Sequence, residues 1–237
     1  MRNLLIIGAS SGIGAAIADL AQSESGDIQI FSLSRTSVDH VYRHFECNVL
    51  TDSLPNIEEP LHGLVYCPGS INLKPFSSIK LDDFKLDFEL HLLGAVRCLQ
   101  AYHSNLLAAN FASVVMFSTV AVQTGFPYHA LVAASKGAVE GLTRTLAAEW
   151  APKIRVNAIA PSLTNTPLAD RLLREDSKKQ AAAIGCILHA SLRHGNHREL
   201  GKLVLRLSPA LSRGGGVVCQ IRLEHQRICN RSYSRKR

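Results

Sequence analysis

The sequence lacks the long apolar segments of a membrane protein and the cysteine spacing of a secreted or metal-binding one. No apolar run approaches the roughly 18 residues that a transmembrane helix needs, and the N-terminal LLII is too short for the core of a signal peptide. The six cysteines include no CxxC pair, so we expect free buried thiols and no metal site. These absences predict a soluble, cytoplasmic protein with no membrane partner.

Acidic residues nearly disappear from the last quarter of the chain. Residues 177–237 contain 13 Lys and Arg but only 2 acidic residues, a balance of +11, whereas residues 1–176 have a balance of −4 within the total of +7. A basic tail can bind nucleic acid. However, Tyr233 is its lone aromatic residue and it contains no recognisable nucleic-acid motif. We therefore rank nucleic-acid binding third among the functional hypotheses and do not expect a nucleic-acid partner.

The first 165 residues alternate short apolar runs with longer helical patterns, which is typical of a parallel sheet covered on both faces. A chain of 237 residues with 46% hydrophobic residues can bury the core of one such domain. The pattern predicts a single-domain, Rossmann-type doubly wound parallel sheet in three α/β/α layers. Predicted strands cover residues 4–7, 28–33, 44–47, 63–66, 113–118 and 155–158, and predicted helices lie near 12–24, 82–109 and 129–150.

The first turn is rich in glycine. In LLIIGASSGIG an apolar strand leads directly to glycines at 8, 12 and 14, and a helical pattern follows. Glycines allow a sharp turn and a close approach of the backbone to a pyrophosphate, whose charge a helix N-terminus stabilises. A purely structural turn is the alternative. The residues predicted to contact a dinucleotide here are Gly8, Ser10, Ser11, Gly12, Ile13 and Gly14.

The second predicted strand ends without a carboxylate. A site that prefers NAD(H) places Asp or Glu about 20 residues past the last glycine, but this chain has Ser34 followed by Arg35. No acid would repel a 2′-phosphate, and the guanidinium of Arg35 could bind it in bidentate fashion. The sequence therefore favours NADP(H), with NAD(H) possible; a solvated surface arginine is the alternative for Arg35.

Several motifs, taken in chain order, resemble the short-chain dehydrogenase/reductase family. They are GASSGIG in the first turn, YCPGS after the fourth strand, LLGAVRCLQA in a crossover helix, FSTVAVQTGFP at the fifth strand, ASKGAVEGLTRTLAAEWAPKIRVNAIAP, and TNTP after the sixth strand. The resemblance covers about residues 1–175. It implies the Rossmann-type fold, a nicotinamide dinucleotide, and a small-molecule carbonyl or alcohol as substrate.

The resemblance implies a catalytic set of Asn, Ser, Tyr and Lys. In the family the tyrosine transfers the hydroxyl proton, the lysine holds the ribose and lowers the phenol pKa, and the serine orients the carbonyl. Lys136 occupies the lysine position, with an ordinary surface charge as the alternative. The serine position falls on Thr119, with Ser118 adjacent. The asparagine position is His91, which could hold water, donate a proton, or be satisfied by helix backbone groups.

The tyrosine position, one turn before Lys136, is Val132. Valine cannot donate a proton, so catalytic competence depends on another group. Tyr128 lies eight residues before Lys136, a rise of about 12 Å in a helix, so it could reach the site only from a loop. His129 and His91 are the other candidate donors.

Further cofactor contacts follow from the resemblance alone. Asn48 and Val49 stand where the family has an Asp-Val pair beside the adenine, and an Asn side chain can still donate and accept hydrogen bonds. The segment after the fourth strand adjoins the ribose, and a hydroxyl after the sixth strand meets the carboxamide. These positions are Asn48, Val49, Cys67, Pro68, Gly69, Pro161 and Thr166.

The resemblance ends near Ala181, which suggests a cofactor-binding domain over residues 1–180 and a divergent basic segment over 181–237. Two explanations remain open. The first is a shifted reading frame that begins near residue 180, because the composition changes abruptly to Arg, His and Cys. The second is a divergent tail in which VVCQIRL supplies an edge strand of the sheet; without such a strand, the exposed edge would favour association.

Two functional hypotheses lead. The first is an NADP(H)-dependent short-chain oxidoreductase that interconverts a carbonyl and an alcohol. The second is a catalytically weak or inactive dinucleotide-binding protein that acts as a scaffold or sensor. In both, the resemblance implies a homodimer or homotetramer, formed through the helices predicted near 82–109 and 129–150.

Overall fold

A seven-stranded parallel sheet forms the centre of the computed structural model, which describes residues 1–24, 27–161, 164, 166–170, 204 and 221–223. The strand order is β3-β2-β1-β4-β5-β6-β7, and all the neighbouring pairs are parallel. The six predicted strands are present, with ends that differ by at most two residues. The strands are β1 Arg2–Ile7, β2 Ile28–Ser34, β3 Arg43–Glu46, β4 Gly63–Tyr66, β5 Ala112–Phe117, β6 Ile154–Ala160 and β7 Ile221–Leu223.

The helices agree with the sequence except in one region. The single helix predicted near 82–109 is wrong as one element, because a π-helical segment and a break after residue 101 divide it. The helices are α1 Gly12–Glu24, α2 Leu81–Phe88, the π-helical segment Glu89–Leu93, α3 Gly94–Ala101, α4 His103–Ala108, α5 Ala121–Thr124 and α6 Ala130–Glu149, with a 3₁₀ turn at Phe76–Ser78. In the described part of the chain, no helix combines the length and apolar character needed to cross a bilayer.

Alternating side chains of the strands build an apolar core on each face of the sheet. Along β1, Leu5 and Ile7 belong to one buried cluster, and Leu4 and Ile6 belong to the other. This alternation follows from the two-residue period of a strand. Because helices cover both faces, the central strands are buried throughout and read as continuous apolar runs.

The edge strand β7 lies in the basic tail. Ile221 pairs with Ala158 of β6, so part of VVCQIRL extends the sheet, as the second explanation for the tail expected. Val204 is also buried, in the cluster that contains Leu4 and Ile6. The other predictions for the tail concern residues outside the described part of the chain.

The sheet topology creates a crevice at the carboxyl end of β1. Strand β1 lies between β2 and β4. The crossover from β1 to β2 therefore runs to one side of β1, and the later crossover from β3 to β4 returns to the other side. The turn after β1 and the segment after β4 meet there: the Gly8 N–H donates to Leu33, and the Cys67 N–H donates to Ile7. Ligands of open parallel sheets bind at such a reversal of strand order.

Candidate active site

The glycine-rich turn after β1 is compact because side chains are absent from it. Gly8 and Gly12 have φ values of +82° and +57°, which other residues rarely adopt. A Cβ at Gly14 would lie 2.1 Å from the carbonyl oxygen of Gly8, so helix α1 begins in direct contact with the turn. Pro68 closes the other side, since its Cδ would lie 3.2 Å from a Cβ at Gly8. These backbone approaches fit a pyrophosphate at the start of α1.

The end of β2 presents a positive charge. Ser34 is buried, and its hydroxyl donates to the carbonyl oxygen of Thr36 at 2.8 Å. The Arg35 side chain that follows is exposed at the carboxyl edge of the sheet.

The turn that contains Asn48 and Val49 is held from both sides. The Asn48 backbone N–H donates to Asp52 Oδ2 at 2.8 Å, and Asn48 Oδ1 accepts from the Leu50 N–H at 3.1 Å. The Arg97 guanidinium of α3 donates to the carbonyl oxygens of Val49 and Asp52. Within the described part of the chain, the Asn48 side-chain NH₂ donates to no other group, which leaves a donor available for a ligand.

Lys136 is a buried ammonium on α6, with 8% of its surface exposed. Burial lowers the pKa of Lys136 to about 8, although the charge of Asp87 and the Cys67 thiol act in the opposite direction. Burial also raises the pKa of Cys67 to about 12, and Lys136 opposes that rise. No hydrogen bond joins Lys136 to another residue that the structure describes. One turn earlier, Val132 is half-buried and its side chain has no polar atom.

Four polar side chains beside Lys136 form what we call the Asp87 cluster: Asp87, His91, Ser70 and Ser135. Asp87 Oδ2 accepts from the Ser135 hydroxyl at 2.6 Å, and Oδ1 accepts from the Ser70 hydroxyl at 3.1 Å. His91 Nε2 lies 3.5 Å from Asp87 Oδ1 and 3.2 Å from Ser70 Oγ. The Ser70 backbone N–H also points at this nitrogen, at 3.4 Å.

The Asp87 cluster combines a charged carboxylate with a neutral imidazole. Burial acts to raise the pKa of Asp87, but hydrogen bonds with His91 and Ser135 outweigh it and hold that pKa below its ordinary value. Burial lowers the pKa of His91; Asp87 opposes this shift and the charge of Lys136 adds to it. At neutral pH, Asp87 therefore carries a negative charge, and His91 can accept a proton.

The π-helical segment turns His91 into this cluster. Its extra residue per turn frees the Leu90 carbonyl oxygen, which accepts from the Tyr66 hydroxyl at 2.7 Å. Gly94 follows with an N–H that donates to Glu89. A Cβ at Gly94 would lie 2.3 Å from the Tyr66 hydroxyl oxygen and 2.9 Å from Leu50 Cδ2, so only glycine fits where the segment ends.

The two adjacent hydroxyls after β5 lie in different surroundings. The Ser118 hydroxyl is buried and donates to Glu140 Oε1 at 2.7 Å, while Glu140 Oε2 lies 3.7 Å from Arg144. Thr119 is half-buried, and its Oγ1 accepts from the Ala121 N–H at 3.3 Å, which leaves its own proton available.

The loop before α6 lies at the rim of the site. Tyr128 is 43% exposed and has φ +67°, and its carbonyl oxygen accepts from the Lys74 N–H at 3.3 Å. His129 is buried with Nδ1 2.7 Å from the Pro127 carbonyl oxygen and its ring against Phe126. Among the described residues, no hydrogen bond or ion pair joins Tyr128 or His129 to Lys136 or to the Asp87 cluster.

Thr166 and Pro161 complete the carboxyl edge. A Cβ at Gly12 would lie 3.5 Å from Thr166 Cβ, which places this hydroxyl residue against the glycine-rich turn. Its Oγ1 donates to the Thr164 carbonyl oxygen at 3.5 Å. The Pro161 carbonyl oxygen accepts from the Val120 N–H at 3.2 Å, which joins the ends of β5 and β6.

The sequence identified Lys136, His91 and the glycine-rich turn as parts of the site, but it did not identify Asp87, Ser70 or Ser135. One signal was available: Asp87 precedes His91 by four residues, so the two side chains share a helix face. Ser135 adjoins Lys136 but lies among small residues that read as ordinary helix packing.

Comparison with known proteins gives consistent matches along most of the chain. The model of the enoyl-(acyl carrier protein) reductase family matches residues 8–214, which runs beyond residue 175, where the resemblance was expected to end. A tropinone reductase homolog of Arabidopsis thaliana is 33% identical, over 88% of this chain and 86% of its own. The ligand-free aldohexose dehydrogenase of Thermoplasma acidophilum superposes with a TM-score of 0.72 at 23% identity, over 87% of each chain. The structure of ElxO with NADP bound superposes with a TM-score of 0.71 at 22% identity, over 87% of this chain and 91% of its own.

Proposed function

The chain belongs to the short-chain dehydrogenase/reductase family, and we propose that it is an NADP(H)-dependent oxidoreductase that interconverts a carbonyl and an alcohol. The observation that carries the proposal is the position of Lys136. A buried ammonium without a hydrogen-bond partner among the described residues stands beside the segment that follows β4, where a sugar hydroxyl would complete its coordination.

The residues at the carboxyl edge fit a dinucleotide. The turn from Gly8 to Gly14 offers backbone N–H groups to the pyrophosphate, and the free NH₂ of Asn48 offers a donor to the adenine. Cys67, Pro68 and Gly69 border the ribose, and Lys136 donates to its hydroxyls. When bound, the nicotinamide supplies or accepts the hydride. The preference for NADP(H) is supported by the exposed Arg35 and by the absence of an acid at Ser34; a structural relative, ElxO, binds NADP.

The substrate groups have defined roles. The Thr119 hydroxyl donates to the carbonyl oxygen and orients it, while the Lys136 charge stabilises negative charge that develops on that oxygen. The neighbouring Ser118 hydroxyl is engaged by Glu140 and fixes the end of β5 next to Thr119. The substrate class is a small carbonyl or alcohol.

Cofactor titration tests the proposal directly. Fluorescence from Trp150 and the five tyrosines, followed during addition of NADPH and of NADH, should show tighter binding of NADPH. Lys136→Met should weaken NADPH binding at least tenfold, because the sugar loses a charge-assisted donor of about 1.5–3 kcal/mol. Lys153→Met, at an exposed site, is the matched control. Failure to bind either nucleotide at millimolar concentration would refute the proposal.

Val132 favours a second candidate, a dinucleotide-binding protein with little or no activity. Single-turnover hydride transfer from NADPH to a panel of ketones distinguishes the two, because it is measurable for the enzyme and absent for the binding protein. Val132→Tyr sharpens the comparison. A large gain in rate indicates an otherwise intact site, whereas no gain places the defect in the tail or the substrate pocket.

We propose a homodimer or homotetramer that forms through α2 and the π-helical segment. Leu86 and Leu93 are 65% and 55% exposed and lie seven residues apart on α2 and the π-helical segment. Large apolar side chains that remain exposed can be buried at an interface between subunits. Light scattering of the wild type and of the Leu86→Glu, Leu93→Glu double variant should show a change from oligomer to monomer. We also propose that residues 1–180 form the cofactor-binding domain, with 181–237 as a divergent basic segment that contributes β7 to the sheet.

A further inference from the structure

The Asp87 cluster contains one polar atom whose hydrogen-bonding capacity is unused. His91 is 2% exposed, and its Nδ1 is buried without a hydrogen-bond partner in the part of the chain that the structure describes. Leaving such an atom unpaired costs about 1–3 kcal/mol. The atom faces the segment after β4, since a Cβ at Gly69 would lie 3.2 Å from His91 Cε1 and 3.7 Å from Nδ1.

Asp87 and Ser70 determine which nitrogen of His91 carries the proton. The Ser70 hydroxyl donates to Asp87 Oδ1, so its oxygen can accept from His91 Nε2–H at 3.2 Å, and the carboxylate itself lies 3.5 Å from Nε2. The Ser70 backbone N–H approaches the same nitrogen at 3.4 Å, near the limit of a hydrogen bond. The adjacent carboxylate charge outweighs this long neutral contact and favours the tautomer with hydrogen on Nε2. The lone pair is then on the unpaired Nδ1, which faces away from Asp87 and can accept a proton.

The cluster is also joined to the turn in which valine replaces the phenol. Ser135 donates both to Asp87 at 2.6 Å and to the Val132 carbonyl oxygen at 3.3 Å, so the turn that contains Val132 is attached to the carboxylate. Lys136, on the same helix, lowers the pKa of His91 by its charge. The ionisable groups that face His91 are therefore Asp87 from α2, Lys136 from α6 and, beside Lys136, Cys67 after β4.

From this geometry we infer that His91, oriented by Asp87 and Ser70, is the proton-transfer residue that replaces the phenol, and that it exchanges the proton at Nδ1 with the substrate through water beside Val132. In the oxidation, the alcohol O–H and C–H bonds break. The hydride is transferred to the oxidised nicotinamide, the proton is transferred to Nδ1, and the carbonyl forms. In the reduction, protonated His91 returns that proton to the developing alkoxide. The inference rests on the proposed function.

Three variants of the full chain test the role. His91→Asn and His91→Gln should lower single-turnover hydride transfer at least tenfold, because a positioned acid or base contributes about 10²–10⁴, while NADPH affinity changes less than threefold. His44→Asn is the matched control. His44 Nδ1 also bonds a serine, at 3.2 Å, and its Nε2 is likewise buried without a partner among the described residues, but His44 lies on β3. It should leave the rate unchanged.

The pH dependence separates proton transfer from a structural role. Wild-type alcohol oxidation should decline on acidification through the pKa of His91, which lies below its ordinary 6.5. His91→Asn should abolish that acid limb, and Asp87→Asn should shift it to lower pH. Unchanged rates and profiles in both His91 variants would overturn the inference, as would loss of activity in Tyr128→Phe or His129→Asn instead.

Histidine NMR provides a readout that does not depend on activity. The His91 Cε1–H resonance should titrate below pH 6.5 in the free protein, move to higher pH in Lys136→Met, and respond to NADP⁺. A resonance that does not titrate between pH 4 and 9 in either state would overturn the inference. Absence of NADPH binding by the wild type would instead refute the proposed function.

Discussion

The hydroxyl of Ser135 donates a 2.6 Å hydrogen bond to Asp87 Oδ2 and so joins α6 to α2 at the residue next to Lys136. Ser135 is fully buried, and Asp87 is 6% exposed. A buried carboxylate needs such donors, because an unpaired buried charge is costly. This contact therefore fixes the position of the carboxylate that orients His91 and faces Lys136.

Removing that donor should destabilise the protein. Ser135→Ala leaves Asp87 with one fewer hydrogen bond, and bonds to charged groups contribute about 1.5–3 kcal/mol. Urea unfolding should show a loss of that size in the free energy of unfolding. Ser23→Ala, which removes an exposed hydroxyl from α1, should stay within about 0.5 kcal/mol of the wild type. An equal effect of the two substitutions would contradict the assigned role of Ser135.

Alanine substitutions at two helical glycines should change the stability of the protein in opposite directions. Gly94→Ala places a methyl group 2.3 Å from the Tyr66 hydroxyl oxygen, so the π-helical segment must shift, and we expect a loss of at least about 2 kcal/mol. Gly141→Ala on α6 meets no atom within 4 Å and should stabilise the protein by about 0.5–1 kcal/mol. Thermal and urea unfolding measure the stability of both variants. If Gly94→Ala stabilised the protein, the proposed clash between residue 94 and the Tyr66 hydroxyl would be disproved.

The buried ammonium of Lys136 should make stability depend on pH. Its pKa in the folded protein, about 8, lies below the ordinary 10.5, so the unfolded chain binds more protons between those values and stability rises with pH across that window. Below pH 8 the folded protein carries the whole cost of burying the charge. The stability advantage of Lys136→Met over the wild type should therefore be fully present below about pH 8 and shrink toward pH 10.5.

Urea unfolding of both proteins at several pH values measures this difference. A constant difference for Lys136→Met would mean that the ammonium is hydrated in the folded protein.

Charge reversal at the end of β2 should change cofactor preference. Arg35→Glu removes the donor proposed for the 2′-phosphate and adds a repulsive carboxylate, so NADPH affinity should fall at least tenfold, given about 1.5–3 kcal/mol for the lost charged hydrogen bonds. NADH affinity should change little. Arg43→Glu, at the opposite end of the neighbouring strand β3, should leave the ratio unaltered. An unchanged ratio in Arg35→Glu would show that Arg35 is a solvated surface charge.

The sheet was predictable because strands that are buried on both faces appear in the sequence as continuous apolar runs. Runs such as LLII and GLVY are apolar throughout and end at glycine, proline or polar residues, so their boundaries were placed within two residues. The glycine-rich turn was predictable for a similar reason, since positive φ at Gly8 and Gly12 and the contact at Gly14 each require glycine.

The Asp87 cluster was not predictable from local patterns. Its members come from a loop, two helices and a π-helical segment, and only the tertiary fold brings Ser70 and Ser135 to the carboxylate. The π-helical segment was missed because it spans only five residues, too few to show a period of its own. Ser118 and Thr119 are neighbours in sequence, but only the fold shows that Glu140 takes the first hydroxyl.

The hydrogen bond from Tyr66 to the Leu90 carbonyl has a consequence for how this helix can vary. A π-helical turn is equivalent to an α-helix that has gained a single residue, and here the insertion is compensated by a phenol on the adjacent strand and by a glycine just after it. Deleting one residue from this stretch would restore regular winding and rotate everything on one side of it by about 100°. A leucine would then face the Asp87 carboxylate in place of His91. The side chain that reaches the carboxylate therefore depends on the number of residues in this helix as well as on their type.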